Sequence, residues 1–209
     1  MRKFVYLAAA CAAVLSLASC GNGKKTSKDA GDAAAKSLEI SFDYSKKDGG
    51  GSNQWAVWIE NGQKQVVRTL FVTEFSAKGR SRNGETPERG YRFRTTCVPD
   101  WVKDVNADSL TDEQLDAFTG ATPAESGLQT YVWDFKDQNG NAVPEGDYKF
   151  YVQATFSGTA IVTFSGDVSA SSEGELAYET KFDIPDPEGE GERLEERKDM
   201  ITSLKAVVK

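Results

Sequence analysis

Residues 37–44 read SLEISFDY, and their alternation decides the fold class: Leu38, Ile40, Phe42 and Tyr44 fall on one face of an extended chain, Glu39, Ser41 and Asp43 on the other. A period of two describes a strand buried on one side. Trp55–Ile59 and Val66–Phe75 are β-branched and aromatic runs separated by Glu60, Asn61 and Gly62, which predicts a hairpin turning near Asn61 and Gly62. Further strands are expected at Tyr91–Thr96, Thr130–Phe135, Asp147–Phe156, Ile161–Val168, Tyr178–Ile184 and Ser203–Val208, with one helical insertion near residues 99–122. Short strands at this rhythm predict a mainly β domain over residues 37–209, an antiparallel β-sandwich with a short helical insertion.

The chain before that domain reads as an export signal. Arg2 and Lys3 precede an uncharged run from Phe4 to Leu17, and Leu17, Ala18, Ser19 and Cys20 form a lipobox, so residues 1–19 are expected to be a lipoprotein signal peptide and Cys20 the lipidated residue. A run of 14 residues is short of the ~20 that span a bilayer. Residues 20–36, rich in Gly, Lys, Ser, Asp and Ala, read as a flexible tether. Attachment to the membrane is thus expected through a lipid anchor on the periplasmic side of the cell envelope. Without Arg2 and Lys3, 23 basic residues face 32 acidic ones, a formal charge of −9 that makes nucleic acid an unsuitable partner.

The chain of 209 residues has three cysteines and no histidine. Cys11 leaves with the signal and Cys20 is lipidated, so Cys97 is expected to be alone, a small buried apolar residue. Zero histidines remove the commonest general base and the commonest transition-metal ligand, which disfavours haem, zinc and triad chemistry.

Asp116–Thr122, DAFTGAT, followed by Pro123, carries the most specific functional signal. Thr111 and Gln114 fit a capping box, and Leu110, Leu115 and Phe118 have roughly helical spacing, so a short helix is expected over Asp112–Phe118. Gly120 would end it in a left-handed conformation and leave Thr122 in an exposed turn. The pattern DxxTGAT resembles the acceptor signal of extracytoplasmic flavoproteins that carry covalent FMN. The resemblance implies that an FAD:protein FMN transferase joins the FMN phosphate to Thr122. It would read Asp116, with Thr119, Gly120 and Ala121 as the small residues that let it approach.

Trp133–Tyr148, WDFKDQNGNAVPEGDY, predicts a second hairpin in which Asp137 bonds turn amides and Gly140 takes positive φ. Trp133, Asp134, Asp137, Gly140, Val143, Gly146 and Tyr148 resemble the pattern of an immunoglobulin-like hairpin in flagellar hook-capping proteins. Asp137, Asn139 and Asn141 have the spacing of a calcium loop's first ligands, but Ala142 stands where a Gly should follow, and the structural reading is preferred. Taken in order, SLEISFDY, NQWAVWIE, TLFVTEF, FTGATP and this hairpin resemble domain of unknown function 2271, a predicted periplasmic family. That resemblance implies an immunoglobulin-like sandwich and a setting of extracytoplasmic electron transfer with a membrane reductase.

Arg80, Arg82, Arg89, Arg92 and Arg94 are candidates for a local anion site, although the segment 77–94 and the acidic tract 186–196 also read as solvated loops. Trp55, Trp58 and Trp101 are candidate flavin-stacking residues, Trp101 foremost because it lies close to the insertion. The leading expectation is a redox carrier with FMN on Thr122. The alternative is a non-enzymatic immunoglobulin-like binding or structural lipoprotein of the envelope.

Overall fold

A computed structural model describes residues 36–48, 52–80, 88–156, 160–184 and 198–209. The expected signal peptide, Cys20, the tether as far as residue 35, Arg82 and the acidic tract 186–196 lie outside the described residues. Ten strands are described: β1 (Leu38–Tyr44), β2 (Asn53–Asn61), β3 (Val66–Thr73), β4 (Thr119–Gly120), β5 (Gly127–Trp133), β6 (Asp147–Phe156), β7 (Ala160–Ser169), β8 (Gly174–Glu175), β9 (Glu179–Asp183) and β10 (Ile201–Val208). They form a six-stranded sheet in the order β4-β3-β2-β6-β7-β9 and a four-stranded sheet in the order β5-β1-β10-β8. Pairing is antiparallel except between β3 and β4.

The alternation in SLEISFDY is realised directly. Leu38, Ile40, Phe42 and Tyr44 are buried and pack against Trp55, Val57 and Ile59 of β2 and Phe150, Val152 and Ala154 of β6, so the two sheets share one core. Phe42 and Trp55 meet edge to face at 6.2 Å between ring centroids.

The outer face of the six-stranded sheet is covered as well. Between β3 and β4 the described residues form α1 (Glu74–Lys78), α2 (Gly90–Phe93), α3 (Pro99–Asp104), a 3-10 turn at Ala107–Ser109 and α4 (Asp112–Asp116). Tyr91, Val98, Trp101, Leu115 and Phe118 of this layer bury Ala56, Trp58 and Val72 of the sheet in a second cluster. Trp55 and Trp58 point to opposite faces of β2, as their spacing requires, yet both are fully buried. β2 is therefore central in its sheet and sandwiched between two layers.

The insertion begins earlier than expected, at Glu74 rather than near residue 99, and it absorbs the strand expected over Tyr91–Thr96. Tertiary packing overrides β propensity there. A Cβ on Gly90 would stand 1.8 Å from the carbonyl oxygen of Phe75, so the glycine lets α2 press onto the backbone of α1. The run Val66–Phe75 ends as a strand at Thr73, whose buried hydroxyl turns to Gln54 Oε1 at 2.5 Å and receives the amide of Trp55 at 3.3 Å.

The first hairpin is where it was expected; the second is corrected, since it closes only locally around the Lys136–Ala142 bridge and its flanking strands, β5 and β6, lie in different sheets. In the first, Asn61 Oδ1 accepts from the amides of Gln63 and Gln65, each at 3.0 Å, and Lys64 rather than Gly62 takes the left-handed conformation, with φ 60°. In the second, Asp137 Oδ1 accepts from the amides of Asn139 at 2.9 Å and Asn141 at 2.8 Å, and Gly140 has φ 83°. Tyr148 donates to Pro144 O at 2.6 Å, and its ring meets Trp133 edge to face at 5.2 Å. The Asp137 carboxylate is thus occupied in shaping the turn.

Candidate functional site

Thr111 and Gln114 form the expected capping box: Gln114 N donates to Thr111 Oγ1 at 3.2 Å and Thr111 N to Gln114 Oε1 at 2.8 Å. These two bonds satisfy amides that α4 cannot satisfy internally. Leu115 anchors the helix in the second cluster, while Asp116 stands exposed at its end and forms an ion pair with Lys78 of α1. The chain then departs from the expected cap. Thr119 turns its hydroxyl back to Leu115 O at 2.5 Å, the Phe118 carbonyl accepts from Val72 N at 3.1 Å, and Thr119 and Gly120 join the sheet edge as β4.

Gly120 does not take positive φ. A Cβ there would stand 2.4 Å from Cε2 of Phe71, so the residue serves close approach of a strand to an aromatic ring. Phe71 itself has little freedom, being stacked on Trp55 at 5.6 Å and tilted against Tyr131 at 5.1 Å. Beyond β4, Ala121 is exposed. Thr122 is half-buried rather than fully exposed, and its Oγ1 donates to Asn53 O at 3.3 Å. Asn53 is held in turn by a reciprocal pair of 3.0 Å bonds between its side-chain amide and the backbone of Lys47.

The aromatic contact expected for a flavin is not offered by Trp101. Its ring is fully buried beneath α3, donates from Nε1 to Thr69 Oγ1 at 3.2 Å and meets Phe118 edge to face at 6.3 Å. Trp55 and Trp58 are equally enclosed. Two of the five candidate arginines have structural roles: Arg89 donates to the carbonyls of Ala107 at 2.7 Å and Leu110 at 2.6 Å, and Arg92 grips Asp108 through Nε and Nη2. These guanidinium groups clamp the insertion together instead of converging on an open site.

Cys97 is buried as expected, and burial pushes its thiol up to about 11. It is not poised as a nucleophile.

An unforeseen polar centre lies under α3. Glu60, read from the sequence as part of a turn, belongs to β2 and is 3% exposed. Its Oε1 accepts from Trp58 Nε1 at 2.9 Å, and its carboxyl meets that of Asp104 on α3. Burial first, then the hydrogen bond to Glu60 and its charge, push the Asp104 carboxyl up to about 6. Burial and the same glutamate also raise the Tyr151 hydroxyl, whose ring lies parallel to Trp58 at 5.0 Å. The signal was present in the spacing: Ala56, Trp58 and Glu60 share one face of β2. Asp104 also borders a cleft of about 540 Å³ between the first hairpin, α3 and α4, whose walls include Lys64, Val66, Leu110, Ala117 and Phe118.

Among the described residues no helix is long and apolar enough to cross a membrane. No curated protein and no solved structure matches the chain. A family model described as predicted periplasmic protein matches residues 35–174, which takes in both hairpins, the insertion and the DAFTGAT stretch, and the chain belongs to that family, DUF2271.

Proposed function

We propose that this protein is an extracytoplasmic electron carrier whose FMN is attached to Thr122. The observation that carries the reading is the path of residues 116–122 over the surface: Asp116 and Ala121 are exposed, and Thr122 is partly so, its hydroxyl engaged only in a long 3.3 Å bond to a backbone carbonyl. Releasing that bond costs little. A transferase reading Asp116 would find Ala121 and Thr122 within the next six residues of the chain. A phosphoester would then form between Thr122 Oγ1 and the FMN phosphate as the pyrophosphate of FAD breaks, with AMP leaving and the hydroxyl proton passing to a base of the transferase. The attachment segment fits the group, whereas Trp101 does not line it.

The flavin supplies the redox chemistry when bound. The protein's contribution is position and environment: a rigid sheet edge at β4, locked by Gly120 against Phe71, holds the attachment residue at one place on the domain. In this reading the domain is an immunoglobulin-like sandwich, tethered by lipid on Cys20, that exchanges electrons between a membrane reductase and an extracytoplasmic acceptor.

The test is the intact mass of the protein coexpressed with an FMN transferase, beside Thr122→Ala. An FMN-sized gain located at Thr122 and lost in the variant supports the reading. No gain, with a transferase proven active on another acceptor, overturns it. The alternative, a non-enzymatic binding or structural lipoprotein, is favoured by one observation: edge strand β5 exposes Leu128 at 67% and Val132 at 53%. It predicts no yellow colour and a partner lost on Val132→Lys.

A further inference from the structure

The two described sheets end in four edge strands, and three of these are guarded against further pairing. β4 (Thr119–Gly120) and β8 (Gly174–Glu175) are two residues long, and β9 carries Glu179, Lys181 and Asp183 within five residues. The fourth, β5, has none of these devices. Its seven residues, GLQTYVW, include no charged side chain, and it pairs with β1 in one unbroken register from Leu38–Trp133 to Tyr44–Gly127. No described strand pairs its other edge. Leu128, Thr130 and Val132 stand exposed on the outer face, while Gln129, Tyr131 and Trp133 fall on the inner one.

We propose that β5 is a site of self-association: two copies pair edge to edge through this strand, antiparallel, about a two-fold axis at Thr130. The order of the side chains argues for a second copy as the occupant, because a two-fold contact needs a patch complementary to itself. With Thr130 opposite Thr130, Leu128 of each copy faces Val132 of the other on the outer face, and Gln129 faces Tyr131 on the inner one. Moving the axis to Gln129 would set Leu128 against Thr130 and Val132 against Ser126; moving it to Tyr131 would set Leu128 against Asp134. Only the axis at Thr130 joins the two apolar side chains.

Charge permits this pairing in an acidic chain. The carboxylates next to β5 on that face are Glu39, beside Val132, and Asp43, beside Leu128, both on β1. Glu39 is already paired with Lys209 at 2.6 Å. In the joined sheet the two β1 strands lie three strand spacings apart, about 14 Å, beyond the screening length at physiological salt. A seven-residue strand pair is small beside the ~1,600 Å² of a standard interface, so the association is reversible and depends on concentration. It goes beyond the flavin reading and does not depend on it.

Cysteine cross-linking of the purified full-length protein tests the pairing, with Cys11→Ser and Cys20→Ser introduced and the buried Cys97 left in place. Directly opposed residues of an antiparallel pair have Cα atoms about 4.5–5.5 Å apart, within reach of a disulfide. Thr130→Cys, on the axis, should form a dimer linked through residue 130 under mild oxidation. The rate should exceed that of Leu128→Cys about tenfold or more, because the twin of residue 128 lies about 14 Å away. Adding Val132→Lys, which sets a charge against Leu128, should slow the Thr130→Cys reaction by a similar factor. Equal rates for the two single cysteines, the result expected if β5 instead receives an extended segment of another protein, overturn the proposal, as does a rate that Val132→Lys leaves untouched.

Discussion

The indole Nε1 of Trp55 donates to the Tyr131 hydroxyl at 2.8 Å, a hydrogen bond that joins the six-stranded sheet to the four-stranded one through the core. It is the polar centre of an aromatic group that also holds Phe42 and Phe71, and it fixes how the two sheets face each other. Tyr131→Phe keeps the ring and leaves the buried indole N–H without its acceptor. The expected loss is about 1–3 kcal/mol, read as a lower urea midpoint with unchanged slope; an unchanged midpoint would show that the bond contributes nothing net.

Gly120→Ala should destabilise by about 1–3 kcal/mol, because the new methyl group meets a Phe71 ring held between Trp55 and Tyr131. The physical cause is separable by a double-mutant cycle. In a Phe71→Leu background the same substitution should cost markedly less, and equal costs in both backgrounds would place the strain elsewhere.

Thr122→Ala should leave the urea midpoint almost unmoved. Its hydroxyl makes one long bond to Asn53 O, and bonds of that kind contribute about 0.5–1.5 kcal/mol at most. A variant that unfolds readily would make Thr122 a structural residue and undermine its use as an attachment point.

The Asp137 carboxylate is held below its ordinary 3.8 by the Asn141 amide first, and by the Asn139 amide and Arg68 among the lesser causes. A lowered folded value means that ionised Asp137 stabilises the fold above the unfolded value, and the contribution disappears as pH falls through the folded one. Asp137→Asn should therefore flatten the acid limb of a stability profile measured below about pH 4, with the hairpin intact. An identical acid limb in both proteins would refute the role.

Cys97 should react with a thiol reagent at pH 8 far more slowly in the native protein than in urea, followed on the peptide that contains it, since burial both encloses the sulfur and holds its proton up to about 11. Comparable rates would mean that the second cluster opens readily.

Much of the candidate site was legible because its signals are local. The Thr111–Gln114 capping box is written in four consecutive residues and forms as read. The Asp137 turn likewise depends on neighbours two and four residues away. Gly120 was misread for the same reason in reverse: a glycine after a short helix resembles a helix terminus locally, and its actual constraint comes from Phe71, 49 positions away in the chain.

By itself the sequence determined the strands that alternate or run apolar, the first hairpin and the turn at Asp137, since strand period and turn residues act within a few positions. Tertiary structure alone decided that β2 is covered on both faces, that Tyr91–Thr96 joins a helical layer, that Trp101 is enclosed, and that Glu60 meets Asp104 across 44 positions. Burial and carboxyl pairing depend on which distant surfaces meet, and no local period encodes that.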